Sequence, residues 1–388
     1  MKTLSKILLA GVAALSAASC ARENPGTGLP EGKAAVSMSG RDVARMLSSL
    51  PLLRPQLQEV YDAVSCSSGN GYDEEYMMSD LLSSPGTGVG GNSSSTKTSY
   101  SEPIRDMIVE YLSAHAPSST RGGAADVQKY LSDLQESGLQ IYWPYSENWD
   151  GETAPLITFD PGDGSEGNYA YIVAGPEDGF AVKDSVFVDE AVARKRPVWV
   201  INSNDDSSFV PLDACLKSKS WTGFDDEPDD VPKYNLYIKD FTMLRNYDTW
   251  FAGASEFHVW TGGVDGFYAS TEEELRRYSP SVTDFVVVVK RNEIGVRKQF
   301  NAVMVTDFSD QLDKLAFLIV EDDGGTRTSW KCSASVKMKS KSYGFEISIP
   351  LNMYDDIVWR GQLGATYFTK GKSIEGRFGD VKLTFALE

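Results

Sequence analysis

KLAFLIVED, residues 314–322, is a short run of apolar, β-branched and aromatic residues that ends in carboxylates. Such runs are typical of β-strands when Gly, Pro and Asp turns separate them. Further runs of the same kind are YNLYIKDFTM (234–243), SEFHVWTG (255–262), TDFVVVVKR (283–291), NAVMVTDF (301–308), YGFEISIPL (343–351) and DVKLTFALE (380–388). Because hardly any helical pattern interrupts them, residues 234–388 are predicted to form an antiparallel β-sandwich.

The same strand pattern begins earlier, at Leu139, and predicts a β-rich middle domain over residues 139–222. Its runs are LQIYWPY (139–145), PLITFD (155–160), NYAYIVAG (168–175), SVFVDE (185–190) and PVWVINS (197–203). The acidic run GFDDEPDDVPK at 223–233 is predicted to link this domain to the sandwich.

Residues 39–138 instead carry helical periodicity. Ser39 can cap the first helix, in which an apolar stripe recurs at Val43, Met46, Leu47 and Leu50. The low-complexity stretch at 83–99, rich in Gly and Ser, is predicted to be a disordered loop. The predicted fold class is therefore α+β, with a helical N-terminal segment before a mainly antiparallel β-sandwich region.

The first residues resemble a bacterial lipoprotein signal. Lys2 and Lys6 precede an apolar run at 7–18, and small residues then lead directly to Cys20. This pattern predicts a signal peptide at 1–19, lipidation of Cys20, and a flexible tether at 20–38. An ordinary secretory signal with an incidental cysteine is the alternative. The predicted mature protein is anchored to a membrane by lipid and does not cross it.

The chain is strongly acidic, with a formal net charge of −18. Removal of residues 1–19 takes away two lysines and no acid, so −18 − 2 gives −20. Such a polyanion is repelled by phosphate backbones, so no nucleic-acid partner is expected, and cations are its natural counterions. Apart from Cys20, the cysteines are isolated and allow at most one disulfide: Cys66, Cys215 and Cys332.

The motifs of several enzyme classes are absent from the sequence. His115 and His258 are the only histidines, and neither belongs to an HExxH motif. The sequence has no GxSxG nucleophile elbow, and its GxGxxG runs lie in acidic or low-complexity turns. A carboxylate pair for glycoside hydrolysis stays open, because acids are frequent and their separation is unknown. A non-catalytic protein is therefore predicted.

Carboxylates recur at the predicted strand ends of the C-terminal unit. Loops at one end of a sandwich can supply the oxygen ligands that Ca²⁺ prefers, so Ca²⁺ is the candidate ion. The predicted ligands are Asp240, Asp248, Asp322, Asp323, Asp355 and Asp356. The alternative is that these residues form ordinary turns, in which Asp is favoured. The stretches IVEDD (319–323) and YDDIVWRGQLG (354–364) resemble the calcium-side loops of C2-type sandwiches, and this resemblance implies a C2-like C-terminal unit.

Three aromatic residues alternate with polar ones at the entry to the β region. Trp143, Tyr145 and Trp149 lie in IYWPYSENWDG (141–151) and are candidates to stack on sugar rings. The alternative is a buried wall between two domains.

The chain as a whole resembles envelope lipoproteins of unknown function from Bacteroidota. The lipobox, GYDEEY (71–76), IYWPYSENWDG (141–151) and DTWFAGASEFHVW (248–260) carry this resemblance. It implies a cell-envelope location, with the outer membrane as the expected membrane. The expected task is binding or scaffolding, with a glycan or an envelope protein as partner. The alternatives are a hydrolase that acts on envelope glycans through two carboxylates, and a subunit of an outer-membrane assembly with a large apolar patch.

Overall fold

The computed structural model describes residues 38–83, 100–115, 123–178, 180–181, 184–204, 210–214 and 234–388. The prediction of an α+β fold with mainly antiparallel sheets is confirmed. The predicted signal peptide, Cys20, the tether before residue 38 and the acidic linker at 223–233 lie outside the described residues, as does nearly all of the predicted loop at 83–99.

Helices dominate the first part of the described chain. A capping box between Ser39 and Asp42 starts the first helix, and Pro51 follows shortly after its end. The helices are α1 (Gly40–Ser49), α2 (Arg54–Gly69), α3 (Met78–Leu81), α4 (Ile104–His115), α5 (Gly123–Gln135), α6 (Glu190–Ala193) and α7 (Glu272–Leu275). Within the described residues, no helix is both long and apolar enough to cross a membrane.

The first sheet has six strands in the order β1-β2-β6-β3-β4-β5. They are β1 (Glu75–Met77), β2 (Leu139–Tyr142), β3 (Leu156–Phe159), β4 (Gly167–Ile172), β5 (Ser185–Asp189) and β6 (Val198–Ser203). The β3–β6 pair is parallel, and the other pairs are antiparallel.

One hydrophobic core joins the N-terminal helices to this first sheet. It includes Val43 and Leu47 of α1, Ile108 of α4, and Ile141 and Ile201 of the sheet, all almost completely buried. The predicted boundary between residues 138 and 139 therefore lies inside a shared core. We call the helices α1–α6 together with strands β1–β6 the α/β half.

The remaining strands form the sandwich half, which consists of two antiparallel sheets. One sheet has the order β10-β7-β16-β15, and the other has the order β13-β12-β11-β8-β9, with β14 paired to β11. The strands are β7 (Leu236–Met243), β8 (Ser255–Gly263), β9 (Ser281–Val289), β10 (Lys298–Val305), β11 (Leu312–Glu321), β12 (Arg327–Met338), β13 (Lys341–Asn352), β14 (Asp356–Gly364), β15 (Ser373–Phe378) and β16 (Val381–Leu387).

Aromatic contacts join the two sheets of the sandwich half. Phe317 of β11 lies 5.7 Å from Phe385 of β16, measured between ring centroids. Phe241 of β7 lies 5.3 Å from Phe257 of β8. These rings belong to one large buried core that draws on all ten strands.

Strand β11 determines where the acidic strand ends meet. Its antiparallel neighbours along the acidic end are β8 on one edge and β14 on the other. The register places Glu321, the last residue of β11, opposite Phe257 and opposite Asp356. Glu256 precedes Phe257 directly, so carboxylates from β8, β11 and β14 come together at one end of this sheet.

The loop at 244–254, between β7 and β8, connects the sandwich half to the α/β half. Its Trp250 and Phe251 are completely buried. They pack in a small core with Tyr142, Val188 and Val200 of the first sheet. We call residues 244–254 the docking loop.

Candidate metal centre

Three carboxylates from separate parts of the sandwich half converge at the end of β11. Asp248 comes from the docking loop, Glu256 from the start of β8 and Glu321 from the end of β11. One carboxylate oxygen from each lies within 4.8 Å of the other two. We call these three residues the carboxylate trio. Antiparallel pairing brings the start of β8 beside the end of β11. The docking loop leads into β8 and so places Asp248 at the same end.

Two members of the trio are deeply buried, which is unusual for carboxylates. Glu321 has no exposed surface and Glu256 is 4% exposed, whereas Asp248 is half-buried. Both carboxylate oxygens of Glu321 lack a hydrogen-bond partner. A buried polar group without a partner costs roughly 1–3 kcal/mol, and more when it is charged. No donor therefore satisfies an ionised Glu321, whereas a protonated Glu321 shares a hydrogen bond with Asp248.

Burial and like charges both act on Glu321. Desolvation raises the pKa of its carboxyl far above the usual range, and a hydrogen bond shared with Asp248 and the charges of Asp248, Asp323 and Asp356 raise it further. The carboxyl therefore holds a proton at neutral pH unless a cation replaces it.

Asp323 and Asp356 lie beside the trio and are exposed. Desolvation raises the pKa of Asp323 to about 6, and the charges of Asp248, Asp356 and Asp355 act in the same direction. The trio is thus the buried end of a larger acidic group whose other members lie at the surface.

Asp322 and Asp355 belong to a neighbouring hydrogen-bond network. Asp322 accepts hydrogen bonds from the Gly324 amide at 2.8 Å and from the Asn352 side chain at 2.9 Å, and its carboxylate lies 3.3 Å from His258 Nε2. Although burial opposes it, these contacts lower the pKa of Asp322 well below its usual range. Asp355 accepts a bond from the Asn352 amide at 2.7 Å. These are the hydrogen bonds of an acidic turn.

Asp240, another predicted ligand, does not lie in this group. It is on β7 in the other sheet, where Arg297 Nε contacts its carboxylate at 3.2 Å. Of the six predicted ligands, the structure therefore brings Asp248, Asp323 and Asp356 together. Asp322 and Asp355 lie in the adjacent turn, whereas Asp240 lies apart from the trio, with its charge paired to Arg297.

Glu256 and Glu321 were not among the predicted ligands. A signal for Glu321 exists in the sequence, since this acid closes the uninterrupted apolar run 315–320, the part of the strand that is buried throughout. Glu256 lies in a similar position, at the start of an apolar strand. Acids in loops are easier to recognise in a sequence as candidate ligands. An acid inside a buried strand needs a partner for its charge, so a ligand explains its presence better.

The predicted aromatic platform is not an exposed surface. Trp143 is 1% exposed, and its ring contacts Trp149 and Trp199. The Trp149 indole donates to the Thr153 carbonyl at 2.9 Å. Trp143 is thus unavailable to a sugar ring, and its place in the core shared by the α2 helix and the first sheet accounts for its burial.

Tyr145 is also largely buried, and its polar groups have partners. Its hydroxyl donates to Glu190 at 2.6 Å, and the Arg194 guanidinium lies 5.4 Å from the ring centroid. Tyr145 lines a cleft of about 560 Å³ together with Glu147, Asn148, Arg194, Arg291, Asn292 and Ile294. Glu147 is the one carboxylate of this lining, whereas glycoside hydrolysis through an acid pair needs two.

The chemistry of the trio fits a hard divalent cation. All of its donors are carboxylate oxygens, which suit Ca²⁺ or Mg²⁺ and give no preference for softer metals. A cation would satisfy the oxygens of Glu321 and offset the repulsion among the three charges. Comparison of the chain with protein-family models, with curated proteins and with solved structures found no match.

Proposed function

We propose that this chain is a lipid-anchored cell-envelope protein that binds or scaffolds a partner without catalysis, and that Ca²⁺ at the carboxylate trio stabilises its sandwich half. The main evidence for the cation is Glu321, whose carboxylate has no exposed surface and accepts no hydrogen bond, while two further carboxylates lie within 4.8 Å. The lipid anchor rests on the lipobox before Cys20, and the outer-membrane location rests on the resemblance to envelope lipoproteins.

The size of Ca²⁺ favours it over Mg²⁺ at this place. Ca²⁺ accepts six to eight oxygens in flexible geometry, whereas Mg²⁺ demands a nearly ideal octahedron and retains several waters. The trio supplies carboxylates from two strands and a loop, with Glu256 and Glu321 almost without exposed surface, so room for bound water is small. Asp323 and Asp356 are the nearest additional oxygen donors on the exposed side.

A non-catalytic role is favoured over the glycan hydrolase. Hydrolysis requires an acid and a base that reach a substrate in a cleft. Glu256 and Glu321 are buried, and neither lines the cleft beside Tyr145. The likeness of the sandwich half to C2-type domains stays a prediction.

A thermal melt of the chain from residue 21 onward tests the cation. The protein is compared in EDTA, in millimolar Ca²⁺ and in millimolar Mg²⁺. A cation that binds only the folded state adds about 2.7 kcal/mol at a hundredfold excess over Kd. We expect Ca²⁺ to raise the melting temperature more than Mg²⁺ does. An equal melting temperature in all three solutions would remove the cation from the proposal.

Fractionation of cells that express the chain tests the anchor. We expect the protein with Cys20 to sediment with membranes and the Cys20→Ala variant to appear in the soluble fraction, because lipidation requires the thiol. Equal distribution of the two proteins would contradict lipid anchoring.

A further inference from the structure

The docking loop, residues 244–254, carries a ligand of the trio and also the anchors that hold the sandwich half against the α/β half. Asp248 belongs to the trio, and Trp250 follows two residues later. Trp250 and Phe251 have no exposed surface, and their rings lie 4.0 Å apart between centroids. A displacement of Asp248 therefore also displaces Trp250.

Polar contacts fix the same loop to the α/β half. The Trp250 indole donates to the carbonyl of Glu166 at 3.0 Å. The Asn202 side chain of β6 donates to the carbonyl of Phe251 at 3.2 Å and to that of Ala252. The amide of Ala254 donates to Asp73 Oδ2 at 3.0 Å. Since these groups are buried or nearly so, each bond constrains the loop strongly.

The Arg291 side chain also holds the docking loop, through bonds to two of its backbone carbonyls. Its Nη2 donates to the carbonyl of Asp248 at 2.6 Å, and its Nε donates to the carbonyl of Gly253 at 3.3 Å. Both ends of the 248–253 segment are thereby tied to one buried guanidinium, because Arg291 is 6% exposed. Arg291 thus fixes residues 248–253, and the next residue, Ala254, bonds to Asp73 of the α/β half. These contacts connect Asp248 to the α/β half without a gap.

Within the trio, Asp248 is the member that lies in a loop, where its carboxylate accepts a hydrogen bond from Ser255 Oγ at 3.2 Å. Glu256 and Glu321 lie in paired strands, whereas Asp248 lies in a loop and is half-buried. A divalent cation bound by Asp248 together with the strand residues Glu256 and Glu321 holds Asp248 in the position at which Trp250 is docked.

We propose that the cation at the trio acts as a clamp between the two halves of the protein: occupancy of the trio by Ca²⁺ holds the docking loop against the α/β half. This inference rests on the cation site proposed above. The coupling is reciprocal, because a ligand that stabilises the docked loop must bind more tightly when the loop is docked. As the Ca²⁺ concentration rises, the docking loop is therefore held against the α/β half in a larger fraction of the molecules.

Amide hydrogen exchange of the chain from residue 21 onward tests the clamp, with Ca²⁺ compared against EDTA. The informative amides are those of the docking loop, above all Ala254, and those of the facing segments around Glu166 and Asn202. We expect Ca²⁺ to slow exchange there by about tenfold, a coupling of ordinary size between two sites. Slower exchange confined to β8, β11 and β14 would overturn the clamp and leave the cation site standing. A protein that does not bind Ca²⁺ at all would instead refute the cation site.

Variants test the reciprocal effect on Ca²⁺ affinity, measured by calorimetric titration. Trp250→Ala removes the main anchor but no carboxylate, and we expect its Kd for Ca²⁺ to rise about tenfold. Trp330→Ala is the matched control, since Trp330 packs against the sandwich core from β12 and is outside the loop. Its Kd should change less than about twofold.

Asn202→Ala is a milder variant for the case in which Trp250→Ala does not fold. It removes the two side-chain bonds from β6 to the loop carbonyls and leaves both cores intact. We expect a smaller rise in the Kd for Ca²⁺, in the same direction. An unchanged Kd in every folded variant of the interface would refute the clamp.

Discussion

Replacement of Glu321 by glutamine separates a cation ligand from an acid that merely lies in the core. Glutamine has the same shape and carries no charge. Glu321 has no exposed surface and accepts no hydrogen bond, and a glutamine amide can donate to Asp248 as the protonated carboxyl does. The effect of the substitution should therefore depend on whether a cation is present.

The distance within the trio gives the magnitude of the repulsion. Two like charges separated by 4.8 Å repel by about 3.5 kcal/mol at an effective dielectric constant of about 20. An ionised Glu321 would meet two such charges, so about 7 kcal/mol opposes its ionisation without a cation. The carboxyl is then protonated and neutral, as glutamine is. In EDTA, Glu321→Gln should change the free energy of unfolding by less than about 1 kcal/mol.

With Ca²⁺ at a hundredfold excess over Kd, the protein without the substitution gains about 2.7 kcal/mol, or about 3 °C in melting temperature for a chain of this size. Glu321→Gln should lose most of this gain. Calorimetric melts in EDTA and in Ca²⁺ measure both quantities. Glu346→Gln, the same change at an exposed position of β13, is the control and should keep the full gain. A Glu321→Gln protein that keeps the gain, or that melts several degrees lower in EDTA, would refute the reasoning.

Further predictions concern pH, Asp240 and Trp143. In EDTA, the free energy of unfolding, measured by urea titration, should fall as pH rises from about 4 to about 6. The pKa of Asp323 is about 6 in the folded protein, above the usual value. The folded state therefore binds more protons than the unfolded state in that range, and its stability decreases as these protons are lost. Ca²⁺ should reduce this fall, because it displaces those protons. Asp240→Asn should lower stability by about 1 kcal/mol through its bond with Arg297, and should leave the Ca²⁺-dependent shift in melting temperature unchanged. Trp143→Ala should lower the free energy of unfolding by about 3–5 kcal/mol, because Trp143 is buried and its removal leaves a cavity.

The sequence was sufficient to predict the α+β class and the strands, because composition and turn residues act locally. It also indicated that acids accumulate at strand ends. It could not show which acids meet, since that depends on register between strands far apart in the chain. Glu256 and Glu321 approach each other because β8 pairs with β11, which places Glu321 opposite Phe257. Long-range pairing of this kind has no signature in either strand alone.

The aromatic stretch around Trp143 shows the same limit. Alternation of aromatic and polar residues suggested rings exposed along one face. The structure covers that face with Tyr61 of α2 and Trp199 of β6, whose rings lie 6.0 Å and 5.7 Å from Trp143. Both partners come from distant parts of the chain, and neither could be assigned to Trp143 before the helices and the sheet were known to share a core.

The protein contains two kinds of acid that the sequence alone does not distinguish. Asp150 accepts hydrogen bonds from the amides of Glu152 and Thr153 at 2.9 Å and 2.7 Å, and bonds from Thr153 and Glu152 lower its pKa to about 2. Asp355 accepts a bond from the Asn352 amide in the same manner. At Asp150 the backbone stabilises the negative charge, and no cation is needed. At Asp355 the bond from the Asn352 amide does not outweigh burial and the charge of Asp322, which raise the pKa of this carboxyl.

Glu321 is the opposite case, because burial and neighbouring acids disfavour its charge and no donor compensates. A leucine or a glutamine at this place would avoid the cost, and the rest of the β11 strand is apolar from Leu315 to Val320. A carboxylate that is unfavourable to the empty fold is accounted for when a ligand supplies the missing partner. The unsatisfied oxygens of Glu321, rather than the number of nearby acids, are therefore the reason to place a cation at the end of β11.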